Sequence, residues 1–502
     1  MIWKVPPNGK YSGRIRDAKW MPCTSLASEY ISFVPGYGFF HPPSLFPLFE
    51  LLEMGKKLFV LALALAVLAL DVHARREGDR QHHDRESSDR RQQRQAFRDL
   101  KPRKPREIFR SEGGRIEEYD AGDYRALCDA EFGVKRVTVE PNGLVLPGYK
   151  DSHVLLTVME GRLRAGIVSP FTDKVTEKSV FELKKGDTMA IPRGFAAWLF
   201  NDGNQRARFL DVADTTTSCE CGRFKVFHLA GSDEQESERS PRRRRESQDE
   251  STGNSLLHGF SKEILAQAWG VDESIVQRLR EGQKGSQIIK VDEQQRRSLP
   301  SVTNSGIYMD FVYRLGDSQP DVYVPRGGEL RQLNSMKMPI LKELGLSAAC
   351  YQLKSGALTA PAWAHNAHKV IYVNEGRGRI EVVRENGEQA VEADMDEGSL
   401  LVVPANYPSA KLAGNEGLDF AVIYKTHLPI ESYLAGRNSV YKGVPRSVMS
   451  SALQIDEQLQ QKLEDRRAEE AYIFPRRERQ PRRGGEEERS YQFVENLVRV
   501  FG

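Results

Sequence analysis

Two stretches far apart in this chain are copies of one another. "SHVLLTVMEGRLRAGIV" (152–168) matches "AHKVIYVNEGRGRIEVV" (367–383), with His153 and His368, Val158 and Val373, Gly161 and Gly376, and Arg162 and Arg377 each 215 residues apart. Farther on, "GDTMAIPRG" (186–194) matches "GSLLVVPAN" (398–406) at an offset of 212, with Gly-x5-Pro in both. Duplication on this scale requires a fold of two similar units. The copied pieces are short, β-branched, roughly alternating runs broken by Gly and Pro, a pattern that predicts strands joined by turns. Gly161 and Gly376 fall where such a turn needs φ > 0.

A second copied element trails each strand-rich unit. "ILAQAWGVDESIVQRL" (264–279) matches "VMSSALQIDEQLQQKL" (448–463) at an offset of 184. Ile264, Leu265, Ala268 and Trp269, against Val448, Met449, Ala452 and Leu453, recur at helical spacing. Asp272 and Asp456 sit where an N-cap would open a second short helix. The smaller offset means that the first copy carries extra residues between strands and helices, much of it the polar stretch 232–253.

"MGKKLFVLALALAVLALDVHA" (54–74) has a basic start, an apolar core from Leu58 to Leu70, and small residues at a cleavage position between Ala74 and Arg75. That is the layout of a secretory signal peptide. The 13-residue apolar run is short of the roughly 20 residues a membrane-spanning helix needs. Two readings are open for its internal position: an apolar helix or anchor inside the chain, or a true start at Met54 preceded by an upstream extension, 1–53. The ordered three-part layout favours the second, and with it no stable membrane insertion once the signal is removed.

Charge excludes one large class of function. With 73 basic and 70 acidic residues in 502 the net charge is +3, so no global field points to nucleic acid. The run "PRRRRESQDES" (241–251) is basic, but acids follow at once, as in a solvated loop. Five cysteines are too few for a disulfide-built scaffold. An oxidising compartment permits one or two disulfides among Cys128, Cys219, Cys221 and Cys350.

Gly186-x5-Pro192-x-Gly194, with Asn201 beyond, resembles the second signature of the cupin superfamily, G-x5-P-x-G-x2-H-x3-N. The resemblance implies double-stranded β-helix barrels, often with a metal held by three His and one Glu. Here Ala197 stands at the histidine position, and Ser409 does in the second copy. The windows for the first signature's H-x-H pair, Pro147–Lys150 and Pro361–Ala364, contain no histidine. Three or four converging ligands are needed to hold a metal, so neither barrel is expected to bind one. His153 and His368 lie near the expected Glu and read as hydrogen-bonding or packing residues. His365 and His368 form an H-x-x-H pair, but in an extended strand positions i and i+3 face opposite ways. No Gly-x-Ser-x-Gly elbow, phosphate loop or His-Glu-x-x-His is present, and neither an enzyme nor a cofactor is expected.

"NSLLHGFSKEILAQAWGVDESIVQRL", "RGGELRQLNSMKMPILKELGLSA", "VIYVNEGRGRIEVV", "EGSLLVVPANY" and "LAGRNSVYKGVPRSVMSSALQI" each resemble segments of legumin-type 11S seed storage globulins, in order from about Gly114 to about Leu463. The resemblance implies a nutrient-reservoir protein made on the secretory route, assembled as trimers and then hexamers, and laid down in protein storage vacuoles; an extracellular destination is the alternative. The Arg-, Gln- and Glu-rich loops would store nitrogen without having to fold. Legumins are typically cut after Asn in an Asn-Gly-x-Glu-Glu-x-x-Cys segment whose cysteine bridges the two chains. The stretch here is Thr303-Asn304-Ser305-Gly306 through Val312, with Val312 where the cysteine would be. Cys128 matches the partner cysteine of that family and so lacks its mate. Asn304 before Ser305 is a candidate processing site, and equally a good turn.

The expected organisation is therefore mainly β: an upstream extension (1–53), a signal peptide (54–74), a disordered polar linker (75–105), a first cupin barrel with a polar insertion and trailing helices (106–283), an inter-domain linker with the candidate cut (284–320), a second barrel with trailing helices (321–463), and a charged tail (464–502). Two rival functions predict different interiors. A metal-dependent bicupin enzyme of the oxalate-degrading kind predicts bound manganese or iron, and a metal-free small-molecule binder predicts a polar, open barrel.

Overall fold

The computed structural model describes residues 97–170, 180–231, 255–283, 285, 287–303 and 309–476. Residues 1–53, the signal segment with Ala74 and Arg75, the insertion 232–253, Asn304 and Ser305, and the end of the tail lie outside them. Within them two double-stranded β-helix barrels follow one another, each trailed by a helix pair.

The first barrel runs β1 (Arg106–Ser111), β2 (Gly114–Glu118), β3 (Phe132–Val139), β4 (Gly143–Lys150), β5 (His153–Glu160), β6 (Arg162–Val168), β7 (Val180–Lys184), β8 (Thr188–Ile191), β9 (Ala196–Phe200), β10 (Ala207–Asp214), β11 (Val226–His228), β12 (Ile288–Lys290) and β13 (Val312–Tyr313). One sheet has the order β1-β2-β3-β10-β5-β8-β13, and the facing sheet β11-β4-β9-β6-β7, with β12 also on β4. In the second barrel come β14 (Val322–Val324), β15 (Gly328–Leu333), β16 (Ser347–Leu353), β17 (Leu358–Thr359), β18 (Ala362–Ala364), β19 (Lys369–Val383), β20 (Gln389–Asp396), β21 (Leu400–Val403), β22 (Ser409–Tyr424), β23 (Glu431–Tyr433) and β24 (Ile473–Phe474). The long β19 and β22 do the work of two strands each, β5 with β6 and β9 with β10. They pair along most of their length and carry one sheet into the next at Gly376 and Gly378, where the register shifts.

The nearly unbroken apolar run of β5 now has its reason. Val154, Leu156 and Val158 join the interior core of the first barrel, while Leu155 and Met159 join a second core that continues into the other barrel. A strand buried on both faces loses the polar–apolar alternation of a half-exposed one. Polar contacts fix the docking. The Tyr119 hydroxyl donates to the Gly398 carbonyl (2.8 Å), the Val402 N–H donates to the Tyr124 hydroxyl (2.9 Å), and Arg208 donates to Glu397 (2.6 Å).

Three boundaries differ from the sequence expectation. The linker 284–320 supplies β12, which pairs with β4, and β13, which pairs with β8. The charged tail begins inside the second barrel, since β24 pairs with β17 in the position that β12 takes in the first. The linker 75–105 is ordered at its end, with Leu100 buried and Arg103 exchanging backbone hydrogen bonds with Leu400 of β21 (2.9 Å each way). These pieces pair over one to three residues, too few to show a period, and what orders them is the open edge each one covers.

That edge pairing is reciprocal. Thr188 of β8 and Leu400 of β21 are repeat equivalents; the first pairs with Tyr313 and the second with Arg103. The segment leading into the second barrel thus closes the first, and the segment leading into the first closes the second.

The second strand of each barrel, β2 or β15, begins on a glycine. Gly328, with φ +127°, starts β15, and a Cβ there would lie 2.0 Å from the Gln352 carbonyl oxygen on β16. Gly328→Ala is expected to cost about 2–4 kcal/mol through strain and displaced pairing, read as a lower midpoint in denaturant unfolding; an unchanged midpoint would contradict this account of the hairpin.

Candidate functional site

The two signature windows do meet in each barrel. Gly148 of β4 pairs with Ala197 of β9, and Ala362 of β18 pairs with Ser409 of β22. What meets there is not a metal-binding set. In the first barrel Gly148 and Ala197 border a cavity of about 70 Å³ walled by apolar side chains such as Val137, Leu199 and Phe209. Its polar end holds two ion pairs, Lys150–Asp211 and Lys135–Glu118 (3.4 Å). The Lys135 ammonium also lies 4.9 Å from the centre of the Phe224 ring. His228 closes the polar end; burial, with the Lys135 charge second, pushes its imidazole down to about 4.

The second barrel buries its charges at other positions. Lys369 is the repeat equivalent of Val154 and points inward with Ile371 and Val373; it is only 2% exposed. Its ammonium lies 3.2 Å from Glu431, which also accepts from the Tyr424 (3.2 Å) and Tyr433 (3.0 Å) hydroxyls. Lys411 donates to Ser409 Oγ (2.9 Å), the atom at the second signature's histidine position. Burial, then the Lys369 charge, pushes the Lys411 amine well below its ordinary value. Burial alone would raise the Glu431 carboxyl; Lys369, Lys411 and the hydroxyl bonds outweigh it and hold it below the usual range.

These residues do not fit a divalent cation. An ammonium at the inward strand position repels the ion that a carboxylate there would hold, and the carboxylate beside it, Glu431, is already taken by Lys369 and two phenols. Among the described residues no three His, Cys, Asp or Glu side chains group as a metal set. The histidines have another task. His153 Nδ1 accepts from the Arg193 N–H (3.2 Å), and His368 Nδ1 from the Ala405 N–H (3.1 Å), so each pins the turn that follows its neighbouring strand. Both imidazoles are pushed down, chiefly by burial. His365 turns instead to Ser432 (2.7 Å) and shares nothing with His368.

A family model described as "Cupin" matches residues 100–225 and 313–461. Cocosin 1 of Cocos nucifera is 29% identical over 414 residues, covering 74% of this chain and 87% of that protein. The 11S globulin seed storage protein Ana o 2.0101 of Anacardium occidentale is 30% identical over 396 residues, covering 68% of this chain and 84% of that protein. The chain belongs to the 11S seed storage globulins. The crystal structure of the coconut allergen cocosin matches this globulin's fold with a TM-score of 0.67 at 28% identity, over 75% of this chain and 98% of that one.

The cysteines of this globulin correct one expectation. Cys128 has a mate: it is disulfide-bonded to Cys221, 93 residues on. Gly222 makes the approach feasible, because at φ +72° a Cβ there would meet Ala121 at 2.6 Å and the Cys128 N at 3.0 Å. Cys219 is an exposed thiol, and Cys350 a half-buried one pushed up to about 12 by desolvation.

A second candidate site is a surface. The helix pairs Lys262–Trp269 with Glu273–Glu281, and Arg446–Leu453 with Glu457–Asp465, leave apolar side chains exposed at equivalent positions. Ile264 and Val448, Trp269 and Leu453, Ile275 and Leu459, and Leu279 and Leu463 are all exposed, each pair 184 apart. Asp456 caps its helix through the Leu459 N–H (2.7 Å), whereas Asp272 takes the N-cap position with no side-chain hydrogen bond.

Sequence reasoning overlooked the buried charges. Their signal was present: Lys369 interrupts an otherwise apolar strand at an inward position, as Lys135 and Asp211 do in theirs. Glu431→Gln is expected to cost about 3 kcal/mol at neutral pH by leaving the Lys369 charge unpaired. Because the Glu431 carboxyl is held low in the fold, its contribution is full above the unfolded value near 4.5 and is lost as the pH falls through the folded value. The native protein should therefore weaken below about pH 4.5 more steeply than the variant in denaturant melts; parallel acid limbs would refute this.

Proposed function

We propose that this globulin is a nutrient reservoir, carried into the secretory pathway and laid down in protein storage vacuoles, with no catalytic role. The observation that carries the reading is that the signature's histidine positions hold Ala197 and Ser409, while the second barrel carries the Lys369–Glu431 ion pair instead of a ligand set. It leaves neither interior with a metal-binding set, in a protein whose relatives are seed storage globulins. Following the protein through seed maturation and germination tests it: accumulation in storage vacuoles and then disappearance is expected, and steady abundance in vegetative tissue would overturn it.

Self-association uses the helix pairs. The two apolar faces of one chain are similar but not identical, so the first pair of one copy packs on the second pair of the next, head to tail. A heterologous contact of this kind forms a ring where its rotation closes, and by resemblance to legumins the ring has three members that stack into a hexamer. Trp269→Asp and Leu453→Asp each alter one of the two contacting faces. Either one alone is expected to reduce the mass in light scattering to that of a monomer; an unchanged mass would place the interface elsewhere.

The candidate cut after Asn304 would leave Cys128 and Cys221 on the same product. The halves would then be held by the shared core and by β13, with no bond between chains. A non-reducing gel of the cut protein should show two separate chains, and a single covalently joined species would count against the assignment.

A further inference from the structure

The polar end of the first barrel's cavity is not demanded by the fold. Asp211 faces Leu156 across the sheet, and its repeat equivalent, Val422, faces Ile371. By the same pairing Lys135 corresponds to Ala349 and Lys150 to Ala364. All three equivalents are buried apolar residues, so a barrel of this design closes without these charges.

The second barrel's own charges are satisfied among themselves, with both Glu431 oxygens accepting hydrogen bonds. Those of the first barrel are not. Asp211 is 5% and His228 8% exposed, yet Asp211 Oδ1 and His228 Nδ1 have no hydrogen-bond partner among the described residues. Each such buried atom costs about 1–3 kcal/mol unless something completes it. Lys150 donates to Asp211 and Lys135 makes its contact with Glu118, and both ammonium groups line the cavity with further protons to donate.

We propose that the first barrel binds a small hydroxycarboxylic acid of about five or six non-hydrogen atoms, its carboxylate on Lys135 and Lys150 and its hydroxyl donating to Asp211 Oδ1. The size follows from the cavity. About 70 Å³ is room for roughly five water molecules at 10–15 Å³ each. The chemistry follows from the donor-rich end with its single free carboxylate oxygen, and from the apolar wall of Val137, Leu199 and Phe209, which takes a methyl group. Two ammonium groups already face two carboxylates, Asp211 and Glu118. His228, whose Nδ1 is unpartnered at the same end, donates to the ligand's carboxylate as the neutral Nδ1–H tautomer.

Calorimetric titration of the full-length protein with L-lactate tests the proposal, with propionate and propane-1,2-diol as probes lacking the hydroxyl and the carboxylate. Lactate is expected to bind with a dissociation constant on the order of 1 mM, at least tenfold tighter than either probe. Ala197→Leu fills the cavity without touching its polar end, and should abolish that heat at an unchanged melting temperature. Should that variant fold poorly, the ring signals of His228 in the histidine-labelled native protein give an independent reading, and lactate should move them. Equal binding of the diol would overturn the carboxylate assignment. Absence of heat, heat retained in a well-folded Ala197→Leu, or unmoved His228 signals would overturn the site.

Discussion

The sheet built on β3, β5, β8 and β10 has no solvent face over most of its area. One side fills the first barrel with Val137, Val154, Leu156 and Phe209; the other sets Phe132, Val134, Leu155 and Leu210 against the second barrel. Everything else is arranged around that shared sheet. At about 25 cal/mol per Å² of apolar surface removed from water, a face of this extent outweighs any hydrogen bond at its margin. The margin then specifies register, because Tyr119, Tyr124 and Arg208 make their bonds across it only in one placement.

The interior charges follow from the same closure. A barrel sealed on one side by a partner barrel and at its edges by short strands excludes water, and a charge inside it must be matched within the barrel. The second barrel meets this requirement by convergence: one carboxylate, Glu431, receives an ammonium and two phenols. The first spreads the requirement over two ion pairs at one end of a cavity. Duplication supplied the same frame twice, and the two interiors then diverged in chemistry at positions the frame leaves free.

How much of this could be read from the residues depended on length and periodicity. The copied runs around His153 and His368 show two barrels because each is long enough to carry a strand pattern, and the helix pairs show themselves through matched spacing around Trp269 and Leu453. The boundaries did not show. Ile288–Lys290, Val312–Tyr313 and Ile473–Phe474 are strands only because an edge elsewhere needs them, and two or three residues hold no period. The histidine roles were legible from their isolation, and His153 and His368 bond backbone in equivalent turns. The partner of Cys128 was not legible, since the turn at Gly222 that brings Cys221 to it is a tertiary arrangement without a local signal. The inward lysines were the reverse case: visible as charges within apolar strands, but without meaning until Glu431 and Asp211 stood opposite.

The crossed edge strands bear on how a reserve of this kind is consumed. Each barrel is sealed by a few residues that belong, along the chain, to the approach to the other. A protease trimming inward from the amino-terminal side removes Arg103 from β21 before it reaches any strand of the first barrel, and so uncovers the far barrel before the near one. A nick in the segment ahead of Val312 has the opposite polarity, freeing β13 to leave β8 and uncovering the near barrel. The molecule thus carries two separate latches, each opened from a place remote in sequence from the body it protects, and digestion proceeds by whichever latch is reached first.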